Sequence, residues 1–373
     1  MPRLLALDLD PGEAFVDAVR GVLERGEAFC VLDPRLPPPA RADQLAMLRP
    51  TAVLDRSGEV TEVDRSAGVE PGDALVMATS GSSGTPKVAV LTAAALEASA
   101  TATSAALGID PQRDRWLSCL PLAHIGGLAV VLRALLTSTP LELHDHFDAE
   151  LVEAASRNGA TRTSLVLTAL RRLDASGFTT VLLGGAAPPE QLAANVVATY
   201  GLTETGSGCI YDGRPLDGVE VRAVDGELYL RGPMLLRCYR DGRDPFVDGP
   251  EGRRWFPTGD AGAVYGDGRV EVFGRLGDVI NTGGEKVHPI DVERVLATTP
   301  GVTEVAVWKR PDPTWGERVV AFVVPSDPAA PPQLADLLAS AESLAPWQRP
   351  KELVLVEALP RAASGKVVRR LLS

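Results

Sequence analysis

The chain has 373 residues, 45% of them hydrophobic and 23% charged, enough for two or three domains with sizeable cores. Its net charge of −12 argues against a nucleic-acid-binding surface, which needs clustered Lys and Arg. The opening MPRLLALDLDPGEAF meets acidic residues too early for a secretory signal, and no apolar run approaches the ~20 residues that span a bilayer.

In chain order, the first 70 or so residues form short α/β pieces. LERGEAFCVLD ends in a strand and LPPPARAD is a Pro-rich loop. From Ala74 the buried strand ALVMATS leads through a Ser/Gly-rich loop to the helix LTAAALEASATATSAAL, the strand WLSCLPL and the apolar helix GGLAVVLRALL. TSLVLT and TTVLLGGA are strands, each followed by helical sequence. Consecutive buried strands separated by helices predict a largely parallel sheet covered on both faces.

After Asp212, VEVRAVDGELYLRGP and AGAVYGDGRVEVFGR alternate around DG turns and predict antiparallel hairpins. GRLGDVINTGGEKVHP is a Gly-rich connector, and the remainder of the chain is patterned as helix–strand–strand–helix–strand. The expected fold class is α/β. A large domain (1–275) combines mostly parallel sheets and helices with an antiparallel β-rich subdomain, and a small α+β domain (276–373) comes after it.

The four cysteines (Cys30, Cys119, Cys209, Cys238) show neither metal-ligand nor disulfide spacing, so a reducing, cytoplasmic location is expected. His144 and His146 in LELHDHFD have no nearby Cys or His to complete a ligand set and are expected in a solvated loop. Only five of the 37 basic residues are lysines: Lys87, Lys286, Lys309, Lys351 and Lys366. Where Arg is the default cation, each Lys invites a specific question.

The run Thr79-Ser80-Gly81-Ser82-Ser83-Gly84-Thr85-Pro86-Lys87 follows a strand and precedes the helix LTAAALEASATATSAAL. Its glycines let backbone N–H groups converge on an anion, while hydroxyls and one ammonium complete a phosphate cradle. It is not a Walker loop, because Pro86 precedes the lysine and Val88 follows it.

This run resembles the phosphate loop of the adenylate-forming enzymes, the superfamily of acyl-CoA synthetases, peptide-synthetase adenylation domains and beetle luciferases. Further hallmarks stand in the family's order: Pro121-Leu122-Ala123-His124, Leu183-Gly184-Gly185-Ala186, Tyr200-Gly201-Leu202-Thr203-Glu204-Thr205, Thr258-Gly259-Asp260 with Gly274-Arg275, and Pro360-Arg361-Ala362-Ala363-Ser364-Gly365-Lys366. The resemblance implies that a carboxylate attacks the α-phosphate of ATP, with Mg2+, and that the acyl group then passes to CoA. It implies that Gly184, Gly185 and Ala186 line the adenine, that Tyr200, Gly201 and Thr203 belong to the adenine-stacking strand, and that Asp260 and Arg275 hold the ribose. Glu204 is the expected Mg2+ ligand, since this hard cation is usually held by one or two carboxylates plus phosphate oxygens.

The resemblance also implies that His124 gates the acyl pocket, with Gly185, Leu202 and Thr205 on the acid side, and that Lys366 swings in with a mobile small domain. The hinge falls at Gly277 or Asp278, and Thr282, Gly283 and Gly284 form the loop on the CoA side. Lys286 has no assigned role. The expected partners are these small molecules, with no nucleic acid and no membrane span; a homo-oligomer is compatible with the sequence.

The phosphate loop starts early, a layout that resembles the small o-succinylbenzoate–CoA ligases of menaquinone biosynthesis. Arg133 lies nine positions after His124 on an otherwise apolar helix, where such ligases carry Arg. The expectation is o-succinylbenzoate as the acid, with Arg133 serving its second carboxylate. The alternatives are another acyl- or aryl-CoA ligase, or an enzyme that loads a carrier protein.

Overall fold

The computed structural model of the chain describes residues 2–64, 66–79, 87–189, 191–249, 252–361 and 367–372, and shows a mixed α/β protein with four sheets. The N-terminal segment supplies β1 (Leu4–Leu7), α1 (Glu13–Glu24), β2 (Ala28–Val31), α2 (Pro38–Leu48), β3 (Ala52–Leu54), β4 (Val60–Glu62), β5 (Asp73–Ala78) and β6 (Val88–Thr92). β1 pairs in parallel with β2 and β3, and β2 with β5, while β4 and β6 run antiparallel to their neighbours. Every residue of β1 and β2 is buried, as strands covered on both faces require. LPPPARAD is not a loop throughout: α2 begins at Pro38. Prolines in the first helical turn are tolerated because the N–H groups they lack would have no intrahelical partner.

The next segment contains α3 (Ala93–Leu107), β7 (Trp116–Ser118), α4 (Ile125–Leu136), β8 (Leu141–Leu143), α5 (Ala149–Arg157), β9 (Arg162–Val166), α6 (Leu167–Leu170), β10 (Thr180–Gly184), β11 (Val196–Leu202), β12 (Ser207–Tyr211) and β13 (Arg214–Pro215). Thr92 caps α3, its hydroxyl accepting from the Ala95 N–H at 3.1 Å. β7 to β11 are parallel and form a second sheet with β12 and β13 antiparallel at one edge. The buried strands thus fall into two sheets rather than one. No helix follows β10 among the described residues; Pro188 and Pro189 interrupt that stretch.

The antiparallel expectation for the region after Asp212 holds. β14 (Glu220–Val224) and β15 (Glu227–Arg231) form one hairpin, and β18 (Arg254–Val264) and β19 (Val270–Arg275) form another in the same sheet. Between them, β16 (Cys238–Tyr239) returns to pair with β6 and widens the first sheet to seven strands, while β17 (Val247–Asp248) pairs with β18.

The Gly-rich connector is itself structured. A 3-10 turn (Leu276–Asp278) leads into the short hairpin of β20 (Ile280–Thr282) and β21 (Glu285–Val287). α7 (Pro289–Leu296), β22 (Val302–Asp312), β23 (Gly316–Pro325), α8 (Leu334–Ser340) and β24 (Glu352–Leu355) then come in the expected order. This fourth sheet packs on its own core, with Ile280, Val287, Val292, Leu296, Val307 and Val319 all fully buried. Among the described residues, no helix is long and apolar enough to cross a membrane.

Candidate active site

Parallel strands leave their carboxyl ends on one side of each large sheet, and ligands of open α/β sheets bind there. Two contacts show that these ends meet. Arg35, after β2, lies 2.9 Å from the His124 ring, after β7. Tyr239, on β16 at the edge of the first sheet, donates to Glu204, after β11, at 3.0 Å.

Thr79 and Lys87 flank the Ser/Gly run. The Thr79 N–H donates to the Lys87 carbonyl at 2.7 Å, closing a β5–β6 hairpin. The run therefore joins two strands and not, as expected, a strand to a helix: β6 intervenes before α3. Ser80, Gly81, Ser82, Ser83, Gly84 and Thr85 lie outside the described residues, as does Lys366. The Lys87 ammonium sits 5.1 Å from the Tyr239 ring centroid, so Lys87, Tyr239 and Glu204 form a continuous row.

Glu204 lies in a 3-10 turn (Thr203–Thr205) and is buried, 9% exposed. Among the described residues no cation is paired with it. A carboxylate carries about four lone-pair sites, so the Tyr239 hydroxyl leaves Glu204 able to take a divalent cation. No cluster of three potential ligands exists among the described residues. A Mg2+ ion is commonly held by one or two carboxylates and completed by phosphate oxygens and water. Burial and the Glu204 charge raise the Tyr239 phenol above its ordinary value, so it remains a donor.

Where the ribose is expected, Asp260 on β18 is 5% exposed, accepts from the Tyr200 hydroxyl at 2.7 Å and pairs with Arg275 Nε at 3.1 Å. Arg275 also donates to the Thr258 carbonyl at 2.9 Å, and the Asp260 N–H donates to the Thr258 hydroxyl at 3.0 Å. Burial, then the Asp260 charge, pushes the Tyr200 phenol well up, so it stays protonated and donating. Gly201 is required sterically: β11 bulges between Tyr200 and Gly201, and a Cβ on Gly201 would stand 2.1 Å from the Ser207 carbonyl oxygen. Gly184 ends β10 against Thr199, and Gly185 (φ 85) and Ala186 are its exposed continuation.

Of the residues expected on the acid side, His124 occupies the N-cap of α4 and Arg133 lies two and a half turns along it. Arg133 is 2% exposed. Its Nη2 donates to Ser207 at 2.9 Å and its guanidinium stacks 4.7 Å from the Trp116 ring centroid, but its Nε and Nη1 are buried without a hydrogen-bond partner. Beside it lies a cavity of about 10 Å³ lined by Leu96, Ser99, Ala129, Gly206 and Ser207, room for about one water. Thr205, expected near the acid, is 1% exposed, and its hydroxyl is tied to the backbone of Leu202 and Ser207, so it shapes the turn that carries Leu202, Thr203 and Glu204.

Arg275 ends β19 and the 3-10 turn with Gly277 and Asp278 comes directly after it, so the expected hinge adjoins the ribose pair. Asp278 is held by Arg369 at 3.3 Å, and Arg369 also pairs with Glu293 at 2.8 Å. Gly283 (φ 60) and Gly284 (φ 89) make the two-residue turn after Thr282, and Gly283 lies so close to Trp315 that a Cβ there would stand 2.7 Å from the indole. His146 is exposed as expected, whereas His144 turns inward to Glu142 at 3.0 Å. The four cysteines are free, and burial pushes the Cys30 and Cys209 thiols up to about 12, which removes them as nucleophiles.

Asp33, Arg35, Tyr239, Ser207 and Arg369 complete the site and its surroundings without a motif that names them. Only Asp33-Pro34-Arg35, a charge pair bracketing a proline, carries a local signal.

A buried carboxylate able to hold Mg2+, a lysine beside it and an Asp–Arg–Tyr group define a nucleotide-dependent enzyme, and the family comparison agrees. Residues 64–240 match the AMP-binding enzyme family and residues 291–366 its C-terminal domain. The chain belongs to the AMP-binding enzyme family. It is 42% identical over 328 residues to the probable 2-succinylbenzoate–CoA ligase of Mycobacterium tuberculosis, covering 79% of this chain and 82% of that protein. Its structure resembles o-succinylbenzoate CoA synthetase of Bacillus subtilis with the acyl-adenylate intermediate bound (TM-score 0.86, 27% identity, 100% of this chain and 88% of the other). The same enzyme with ATP and magnesium aligns with TM-score 0.86 and 27% identity over 99% and 89% of the two chains.

A ribose held at Asp260 makes a direct prediction. Asp260→Ala should raise the KM for ATP roughly 10–100-fold, the loss of charge-assisted hydrogen bonds, and leave the KM for the acid unchanged. It should also abolish discrimination between ATP and its 2′,3′-dideoxy analogue. If the variant still prefers ATP to the same degree, the ribose binds elsewhere.

Proposed function

We propose that the protein is an ATP-dependent acid–CoA ligase that adenylates o-succinylbenzoate and transfers the acyl group to CoA, giving o-succinylbenzoyl-CoA, AMP and pyrophosphate for menaquinone biosynthesis. A carboxylate oxygen attacks the α-phosphorus, the bond to the bridging oxygen breaks, and pyrophosphate leaves. The CoA thiolate then attacks the acyl carbon and AMP departs. Both reacting partners are anions, so the protein's task is positioning and the supply of positive charge. Lys87 and Lys366 provide ammonium groups toward the phosphates, and Glu204 would hold a Mg2+ ion, which when bound would offset charge on the phosphate oxygens. Asp260 and Arg275 hold the ribose, Tyr200 and the Gly184–Ala186 segment border the adenine, and Thr282–Gly284 borders the CoA thiol's approach.

Arg133 is the observation that carries the choice of acid. No carboxylate is paired with it among the described residues, and two of its donors are buried without partners. A buried cation left in that state is costly, and an acid with a second carboxylate supplies the missing charge. A benzoate or fatty-acid pocket would have no use for it. The cavity of about 10 Å³ is too small for a carboxylate but takes about one water, so the pairing runs through a water.

We further propose that residues 276–373 move as a unit about Gly277 and Asp278 and deliver Lys366 for the first half-reaction. Gly277 has space around its Cα, and a Cβ there would meet nothing within 4 Å.

Two outcomes test these assignments. In an acid panel assayed for AMP with CoA present, o-succinylbenzoate should be the preferred acid. Arg133→Leu should then cut its kcat/KM roughly 10–150-fold, the equivalent of ~1.5–3 kcal/mol, while sparing aromatic monocarboxylates. Equal losses toward mono- and dicarboxylates would make Arg133 structural. Lys366→Ala should slow adenylation by ~10²–10³ while leaving thioester formation from supplied acyl-adenylate intact. Comparable loss of both steps would contradict the division of labour.

A further inference from the structure

We propose that Asp33 and Arg35 are positioning residues that hold His124 as the neutral Nδ1–H imidazole at the acid-binding end of the site. The inference rests on the reading of His124 as an acid-side residue. Arg35 Nη2 lies 2.9 Å from His124 Nε2, although the two residues are 89 positions apart and come after strands of different sheets. A guanidinium carries five N–H donors and no acceptor. The ring nitrogen that faces it must therefore present its lone pair, which leaves the ring proton on Nδ1. An imidazolium would turn an N–H toward a permanent cation, so the Arg35 contact opposes protonation against the pull of the Asp33 carboxylate on a charged ring.

Arg35 is not a loose surface side chain, although it is 43% exposed. Its Nε and Nη2 form a two-pronged pair with Asp33 at 2.8 and 2.7 Å, and its backbone N–H donates to the same carboxylate at 3.0 Å. The Asp33 carboxylate is 5% exposed; burial works to raise its ordinary value, but the Arg35 hydrogen bonds and charge outweigh burial and lower it. The Asp33 N–H in turn donates to Gln44 on α2 at 3.1 Å. The chain of contacts runs from α2 through Asp33 and Arg35 to the ring, and each member fixes the next.

This arrangement has two consequences for the reaction. With its Nε2 lone pair committed, His124 cannot serve as a general base toward the acid. The proton on Nδ1 makes that side of the ring a donor, the polarity a carboxylate accepts from, where a lone pair would repel it. Asp33 also neutralises Arg35, so the guanidinium positions the ring without competing for the incoming anion.

The test is two-bond 1H–15N correlation spectroscopy of the full-length protein, which has four histidines, with His124 identified by His124→Ala. The wild-type ring should show protonated Nδ1 and bare Nε2. In Arg35→Met the ring should shift toward the Nε2–H form, and the KM for the acid should rise roughly three- to tenfold while the KM for ATP stays unchanged. Asp33→Asn, which keeps the side chain's shape, should move both readouts the same way by less and serves if Arg35→Met does not fold. An Nε2–H ring in the wild type, a tautomer indifferent to both substitutions, or equal rises in both KM values would overturn the proposal. Spectra that respond to Arg35 while His124→Ala leaves the acid KM unchanged would refute the acid-side reading of His124 on which it stands.

Discussion

The contact on which the site depends is Asp260 with Tyr200 and Arg275. Tyr200 belongs to the second sheet and Asp260 to the third, and Arg275 is the last residue before the 3-10 turn that leads to the fourth. One buried carboxylate thus joins its own hairpin, through Arg275 directly opposite, to Tyr200 sixty residues away on another sheet. It is satisfied by a phenol and a guanidinium that each anchor it from a different direction. It also makes this group and the expected pivot immediate neighbours, so whatever orders Arg275 is one residue from the turn.

A second constraint is charge. The protein is acidic overall, yet the chemistry joins an acid to a nucleotide triphosphate. Two cations stand out against this acidic background: Lys87 stands over Tyr239 beside the Glu204 carboxylate, and Arg133 is buried on α4 without a carboxylate partner among the described residues. The two cations differ in kind. Lysine's compact ammonium serves phosphate oxygens as a point charge, while the planar guanidinium of Arg133 stacks on Trp116 and keeps donors in reserve. Arg35 shows a third use, a cation already neutralised by Asp33 and employed for geometry.

Much of this was legible in the sequence where the signal is local. The α3 and α4 helices, the buried strands and the DG hairpins arise from periodicity and turn chemistry within short windows, and the motif residues Glu204, Asp260, Arg275 and Arg133 stand out by type and order. Long-range pairing was not legible. ALVMATS and TTVLLGGA read alike, yet belong to different sheets, because strand partners are chosen by packing across many residues. The β6 strand, five residues between Lys87 and α3, hid within what reads as the approach to a helix, so the Ser/Gly run lies between two strands. Pro38 and Pro39 look like loop residues until their place in the first turn of α2 is known. Tyr239 reaches Glu204 only because β16 returns to β6, and Arg35 reaches His124 only because two sheets present their strand ends to each other.

The central claim is that the carboxylate attacks the α-phosphorus of ATP and leaves as an acyl-adenylate. Isotope transfer tests it most directly. With o-succinylbenzoate labelled by ¹⁸O in its carboxyl groups, complete turnover with ATP and CoA should place one labelled oxygen in the phosphate of each AMP and none in pyrophosphate. Label in pyrophosphate or inorganic phosphate, with unlabelled AMP, would mean that the acid attacks a different phosphorus and would contradict the account.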